Sequence, residues 1–320
     1  MTRYIVRRLA WMLVLLVAVS LLTFVLFYLL PTTDAARLRA GPKAPPEVVE
    51  QVRRSLGLDR PWPQQFWEFL RNLFLHFDLG RSFQDDVPVR EEIFSRLPAT
   101  VSLVLGAFVL WMTVGIAVGV ISATRPGSLL DRVSMGGALV AISAPVFWLG
   151  LVAIYLFADD IGRFKLLPGQ GSYVGITEDP LRWFGSLVLP WCVLAAGFAA
   201  VYARLLRATM IETLSQDYIR TARAKGLSRR RVVLRHGLRS AITPVVSAAG
   251  VDLGTLLSST IITERVFNIQ GIGGLAYDSI RFADMPMIQG TVLFGALMIV
   301  IANLVVDVLY AFLDPRVRYS

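Results

Sequence analysis

Six stretches of this chain, near residues 9–30, 99–121, 133–157, 184–203, 242–263 and 288–312, are apolar for long enough to cross about 30 Å of hydrocarbon. Within all six, the only Asp, Glu, Lys or Arg residues are Asp252 and Asp307. A backbone in lipid must satisfy its hydrogen bonds internally, and stretches of this length do so as helices. The sequence therefore predicts an all-α membrane protein with six transmembrane helices. Its composition agrees, since 55% of the residues are hydrophobic and only 17% charged, which excludes an ordinary soluble domain.

Orientation follows from the basic residues between the spans. Segments 1–8, 122–132, 204–241 and 313–320 carry 17 basic and 4 acidic residues; segments 31–98, 158–183 and 264–287 carry 15 and 17. The long 31–98 segment holds most of that second basic set, and long loops weigh little in topology. Both termini are thus expected in the cytoplasm. The net charge of +9 is accounted for by topology, with no nucleic acid needed. Arg3, Arg7 and Arg8 precede an apolar run too long for a signal peptide, so a retained first span is expected. The single cysteine, Cys192, lies inside a span and reads as an inert buried thiol.

The stretch DYIRTARAKGLSRRRVVLRHGLRSAITP, Asp217 to Pro244, packs eight Lys and Arg residues between two spans. Its basic character places it in the cytoplasm. Asp217 through Lys225 reads as a short helix closed by Gly226, which takes a left-handed position without Cβ strain. Ser228 can cap a second helix, in which Leu234, Leu238 and Ile242 recur every four residues. By charge alone this is a solvated, positive-inside loop.

The run Arg220-Thr221-Ala222, three residues, then Gly226 resembles the loop that couples membrane subunits of binding-protein-dependent ABC importers to their ATPases. The family's general pattern is Glu-Ala-Ala, three residues, Gly; Arg220 and Thr221 depart from it. The form DYIRTARAKGL is similar to the peptide branch (dipeptide, oligopeptide and nickel). The resemblance extends from Arg7 to Tyr319. It takes in LGLDRPWPQQFWEFLRNLFLHFDLGRSF, SAPVFWLGL, ERVFNIQGIGG and LVVDVLYAFLDPRVRY. Pro31-Thr32-Thr33-Asp34 and Gln270 depart from it, the latter standing where the family has proline.

The resemblance implies the type I ABC importer permease fold in a bacterial inner membrane. It implies that Asp217, Tyr218, Arg220, Thr221, Ala222, Arg223, Ala224, Lys225 and Gly226 form the ATPase-coupling element. The small Ala222 and Ala224 are expected to seat in a partner's groove. Glu264, Phe267, Gly271 and Gly273 are expected near the outer gate. Implied partners are a second homologous permease, two ABC ATPase subunits, an extracytoplasmic solute-binding protein and the lipid bilayer. ATP and Mg would be held by the ATPase subunits, with no cofactor or metal in this chain.

The division expected is 1–98, the first span with an extracytoplasmic segment of interfacial helices, and 99–320, a five-helix core containing the coupling loop 204–241. In the first part, Val48, Val52 and Leu56 mark a short helix stopped by Gly57. Trp62, Phe66, Trp67 and Phe69 suit a helix lying on the bilayer, or a dock for the binding protein. Gly115 and Gly119 would let another helix approach closely, and Pro145 would kink the third span. In the fifth span, Asp252, Thr255, Ser259 and Thr263 fall within one quarter of the helix circumference. Two readings fit: a wall of the translocation path, or a polar stripe satisfied by a neighbouring helix. Asp307 reads as a structural anchor.

Absences narrow the function. The three lysines sit in Pro-Lys-Ala, Phe-Lys-Leu and Ala-Lys-Gly, so there is no GxxxxGK[ST] phosphate loop. HExxH and GxSxG are missing too, and His76 and His236 fall on opposite sides of the membrane. The reading is a non-catalytic permease subunit of an ATP-driven peptide importer. Its alternative is a stand-alone ion-coupled secondary transporter of small solutes. No repeat relates residues 1–157 to 158–320, and Asp252 has no basic partner within the spans, both of which weigh against that alternative.

Overall fold

The computed structural model describes residues 2–26, 34–41 and 43–313. The Pro31–Thr33 turn, the segment after Leu313 and the Asp307 side chain lie outside the described residues. Among those described, every regular element is helical; the only extended pairing is two isolated bridges, Arg81 with Pro88 and Ala158 with Leu167. In chain order the helices are α1 (Thr2–Phe24), α2 (Ala35–Ala40), α3 (Pro46–Ser55), α4 (Trp62–Arg71), α5 (Val89–Thr124), α6 (Leu129–Ser143) and α7 (Val146–Phe157). They continue with α8 (Pro180–Ser215), α9 (Asp217–Ala224), α10 (Arg229–Arg231), α11 (Leu238–Ala241), α12 (Thr243–Phe267), α13 (Ile272–Arg281) and α14 (Met285–Leu313).

Helices α5, α8 and α14 are apolar and long enough to cross a membrane. The bent pair α6–α7 and the bent helix α12 supply two more candidate spans, and Ala10–Phe24 is a shorter apolar helix. Counting each bent pair once, these are five candidate spans and one shorter apolar helix at the six places expected from the sequence, and part of the first, 9–30, lies outside the described residues. At 36 residues each, α5 and α8 are about 54 Å long and outrun the hydrocarbon at 1.5 Å per residue. The extra turns of α8 carry the chain directly to α9.

The chain forms two compact units. One comprises Met1–Pro98 with Gln270–Leu304. In it Phe24 is buried against Phe66 and Phe69, with ring centroids 5.3 and 6.4 Å away. Helix α3 ends before Gly57, at φ +67°, and neither α3 nor α4 has a buried residue. Trp62 and Trp67 stand exposed, as suits an interfacial helix. A polar knot fixes residues 82–86 to the start of α14. The buried Asp284 carboxylate accepts from the Ser82 hydroxyl and from the backbone N–H of Phe83 and Met287. Arg39 donates to the Ser82 carbonyl and pairs with Asp86. Gly290 lets α14 lie against α5, since a Cβ there would come 2.4 Å from Val89.

The second unit comprises Ala99–Ile269 with Val305–Ser320. Its core surrounds α8, where Leu187, Leu194, Tyr202, Leu206 and Met210 are almost fully buried. Gly115 and Gly119 meet the expectation of close helix approach. A Cβ on either would come 2.9 Å from Tyr202 or Leu206 of α8. Pro145 does more than kink the third span. It has no N–H to continue a helix and holds Ala144 extended, at ψ 127°, so α6 and α7 meet at 109°. Cys192 is a correction, because it lies on an exposed face of α8.

Candidate coupling and translocation site

Helix α9 begins after the extended Gln216 and ends where Gly226 turns left-handed at φ +79°. The Leu227 N–H donates to the Ala222 carbonyl and the Gly226 N–H to Arg223, which closes the last turn without a side-chain cap. Ile219 and Ala222 turn inward onto Val232, Leu214 and Leu227. Tyr218, Arg220, Thr221, Arg223, Ala224 and Lys225 remain exposed, as do Asp217 and Gly226. Ala222 and Ala224 therefore point to different faces: Ala222 is packed on its own chain, and only Ala224 is open to a partner. Tyr218 reaches the Ser240 hydroxyl at 3.1 Å, and Arg220 meets Asp217 one turn back at 3.3 Å.

The segment after α9 differs from expectation. Ser228 makes no side-chain cap, and Val232–Gly237 forms a π-helical stretch between α10 and α11. The wider turn shifts the helix phase, so Val232, Val233, Gly237 and Ala241 are buried. Leu234 is exposed, while Leu238 and Ile242 are half-buried. A groove of about 580 Å³ lies beside α9, with Leu214, Leu227 and Val232 on its walls and Arg223 and Arg229 among its lining. Arg229 also donates to the Thr124 carbonyl at the end of α5, at 2.7 Å.

Sequence reasoning did not find the ion pair that holds the neighbouring α5–α6 turn. Asp131, in the first turn of α6, accepts from Arg207 of α8 through both oxygens, at 2.6 and 2.8 Å. The same carboxylate accepts from the Gly127 N–H at 2.8 Å. The Arg207 guanidinium, with help from that N–H, holds the Asp131 carboxyl well below its usual range, at about 2. The signal was present as one acidic residue among the basic residues of the inner segments, but its partner lies 76 positions away.

Along α12 the four spaced polar residues are treated differently. Asp252 is half-buried and accepts from the Tyr202 hydroxyl at 2.7 Å. Thr255 is exposed and Ser259 half-buried, each donating to a carbonyl of its own helix. Thr263 is buried with its hydroxyl unpartnered. The axis bends by 56° between Thr243–Leu256 and Ser259–Phe267, so helical spacing does not keep all four on one open face.

At the far end of α12, Glu264 is fully buried and accepts from Thr100 of α5 at 2.7 Å. Phe267 is buried, and Gly150 of α7 makes room there, since a Cβ would come 2.8 Å from Val266. Asn268, left-handed at φ +51°, closes the helix, with the Ile269 N–H donating to the Glu264 carbonyl. Gln270 therefore follows a turn already closed by Asn268. Gly271 and Gly273 open α13 in the other unit, both buried.

A helical chain with six apolar segments, an exposed basic helix and a partly open polar helix matches a known family. Residues 115–319 match the model of the binding-protein-dependent transport system inner membrane component, and residues 1–104 match the N-terminal model of the same systems. The chain belongs to this family. It is thus an inner-membrane transport component of the bacterial type, in a family of membrane permease subunits. A provisionally named peptide transport system permease protein of Brucella abortus (strain 2308) is 43% identical over the full length of both chains. The glutathione transport system permease protein GsiC of Escherichia coli (strain K12) is 42% identical, again over both full lengths. Among solved structures, an inward-facing MetNI methionine ABC transporter chain overlays with a TM-score of 0.52 at 19% identity. That overlay covers 71% of this chain and 96% of the other, and it shows that the transport component has the ABC permease fold.

Proposed function

We propose that the chain is the permease subunit of an ATP-driven peptide importer and forms half of the translocation pathway. The observation that carries this reading is α9: a short basic helix packed on its own chain through Ile219 and Ala222 and tied by Tyr218 to Ser240, with Arg220, Thr221, Arg223, Ala224 and Lys225 exposed. Full-length similarity to permeases named for peptide and glutathione transport supports the cargo class. In this reading a second homologous permease completes the path, and two ATPase subunits bind ATP and Mg and dock on residues 217–226. An extracytoplasmic binding protein delivers cargo to the side carrying residues 31–98. Glu264, Phe267, Gly271 and Gly273 belong near the outer gate. An ion-coupled carrier working alone would have no use for the exposed helix.

Nucleotide-driven approach of the ATPases would move α9, and the π-helical segment and α11 would pass that motion to α12. Gly226→Pro tests the chain of events, because proline cannot adopt φ +79°. In the assembled transporter, the variant is expected to insert normally and to lose peptide-stimulated ATPase activity and uptake. Unchanged uptake would remove α9 from the coupling route. Purification of the wild-type chain from its native membrane without any ATPase would remove the importer reading itself.

A further inference from the structure

Among the described side chains of α12, Asp252, Thr255 and Ser259 offer hydrogen-bond acceptors and have no donor left over. The Asp252 carboxylate spends one oxygen on the Tyr202 hydroxyl, and among the described residues nothing else reaches it. The Thr255 hydroxyl gives its hydrogen to the Asp252 carbonyl at 2.8 Å, and the Ser259 hydroxyl gives its own to the Thr255 carbonyl at 3.0 Å. What remains available on these side chains is the second carboxylate oxygen and the hydroxyl lone pairs. Tyr202 cannot turn away to another task. Its ring lies 5.3 Å from Trp111, which stacks on Phe198 at 4.6 Å, and its side chain is buried. A carboxylate fixed in this way within an apolar span asks for a cation, since a lone charge there is costly.

We propose that Asp252, with Thr255 and Ser259 beside it, is a binding site for the amino-terminal end of a peptide, with Asp252 taking the free ammonium group. The proposal rests on the reading of α12 as a wall of the peptide path. An ammonium carries three donors and no acceptor, the complement of this face. Ser259 lies beyond the 56° bend, but its hydroxyl stays on the Thr255 carbonyl, so the acceptors follow one another over the length of a few extended residues. Amide N–H groups following the ammonium can therefore meet the Thr255 and Ser259 oxygens. A carboxylate or phosphate would meet only acceptors and be repelled. An inorganic cation needs several oxygens converging on one point, whereas these are spread along the helix.

The test uses the complete transporter, with its partner subunits and binding protein, in sealed vesicles. Peptides of two to six residues are offered with free and with acetylated amino termini. Each uptake rate is divided by the amount of that peptide held by the binding protein, so that selection before the membrane cancels. Wild type should favour free termini by about tenfold, the worth of one charge-assisted hydrogen bond. Asp252→Asn, which keeps the shape and an acceptor for Tyr202, should lose most of that preference through KM, with kcat little changed. Asp252→Glu should restore part of it. ATP-driven uptake with the same preference in wild type and Asp252→Asn overturns the ammonium site alone. No ATP-driven uptake of either peptide form by wild type overturns both this site and the importer reading.

Discussion

In the first half of α12, Asp252 and Thr255 stay open, whereas in the second half Thr260, Thr263 and Glu264 are buried. Both halves carry polar side chains at helical spacing, and the spacing does not distinguish them. The difference comes from what lies opposite. Glu264 meets Thr100 on α5, and Gly150 on α7 admits Val266 close by. Among the described residues, the Asp252 carboxylate meets only the tip of Tyr202. Glu264, in the second half, joins helices of this chain, while Asp252, in the first half, keeps an unused acceptor. A polar stripe on a membrane helix is thus two things in one element, a fastening at one end and an offered surface at the other.

Substitutions can break or sharpen that contrast. Glu264→Leu should have the largest effect on stability. It removes the acceptor for the buried Thr100 hydroxyl and should cost about 2–3 kcal/mol, read as a lowered unfolding midpoint in detergent. Asp252→Asn should stay within about 1 kcal/mol of wild type, because Tyr202 keeps an acceptor. Equal losses would erase the distinction between the halves.

Asp131 supplies a reference carboxylate that is fully paired within the chain. Its folded pKa of about 2 lies below the usual 3.8 of a free aspartate. The stability it contributes is therefore complete above about pH 4 and disappears as pH falls through about 2. The gap in unfolding midpoint between wild type and Asp131→Asn should be constant from pH 7 to about 4 and shrink below that. A gap that closes near pH 6 would mean that Arg207 does not hold the carboxylate.

Thr263→Val should have the smallest effect. The hydroxyl it removes is buried and unpartnered, so stability should be unchanged or rise by up to about 1 kcal/mol. Loss of stability would place a partner on that hydroxyl and make Thr263 a fastening like Glu264.

Local chemistry made much of the chain legible. Gly226 and Gly57 ended their helices because only glycine takes those left-handed positions cheaply, and that preference is written in the residue itself. Gly115 and Gly119 announced a close helix approach, although not that Tyr202 and Leu206 would fill it. Where two distant segments had to meet, the sequence was silent. It gave no partner for Asp131, no Tyr202 for Asp252 and no sign that Cys192 would face outward.

By itself, then, the sequence determined where the apolar segments fall, the basic bias of one set of loops and the existence of α9. Each of these depends on hydropathy, charge or φ preference within a few residues. Tertiary structure alone decided that α6 and α7 turn through 109° at Pro145 and that the π-helical stretch rotates the buried face after α9. It also decided which half of the α12 polar stripe is covered. Burial is a property of what packs opposite a side chain, and no spacing along one helix encodes its neighbour.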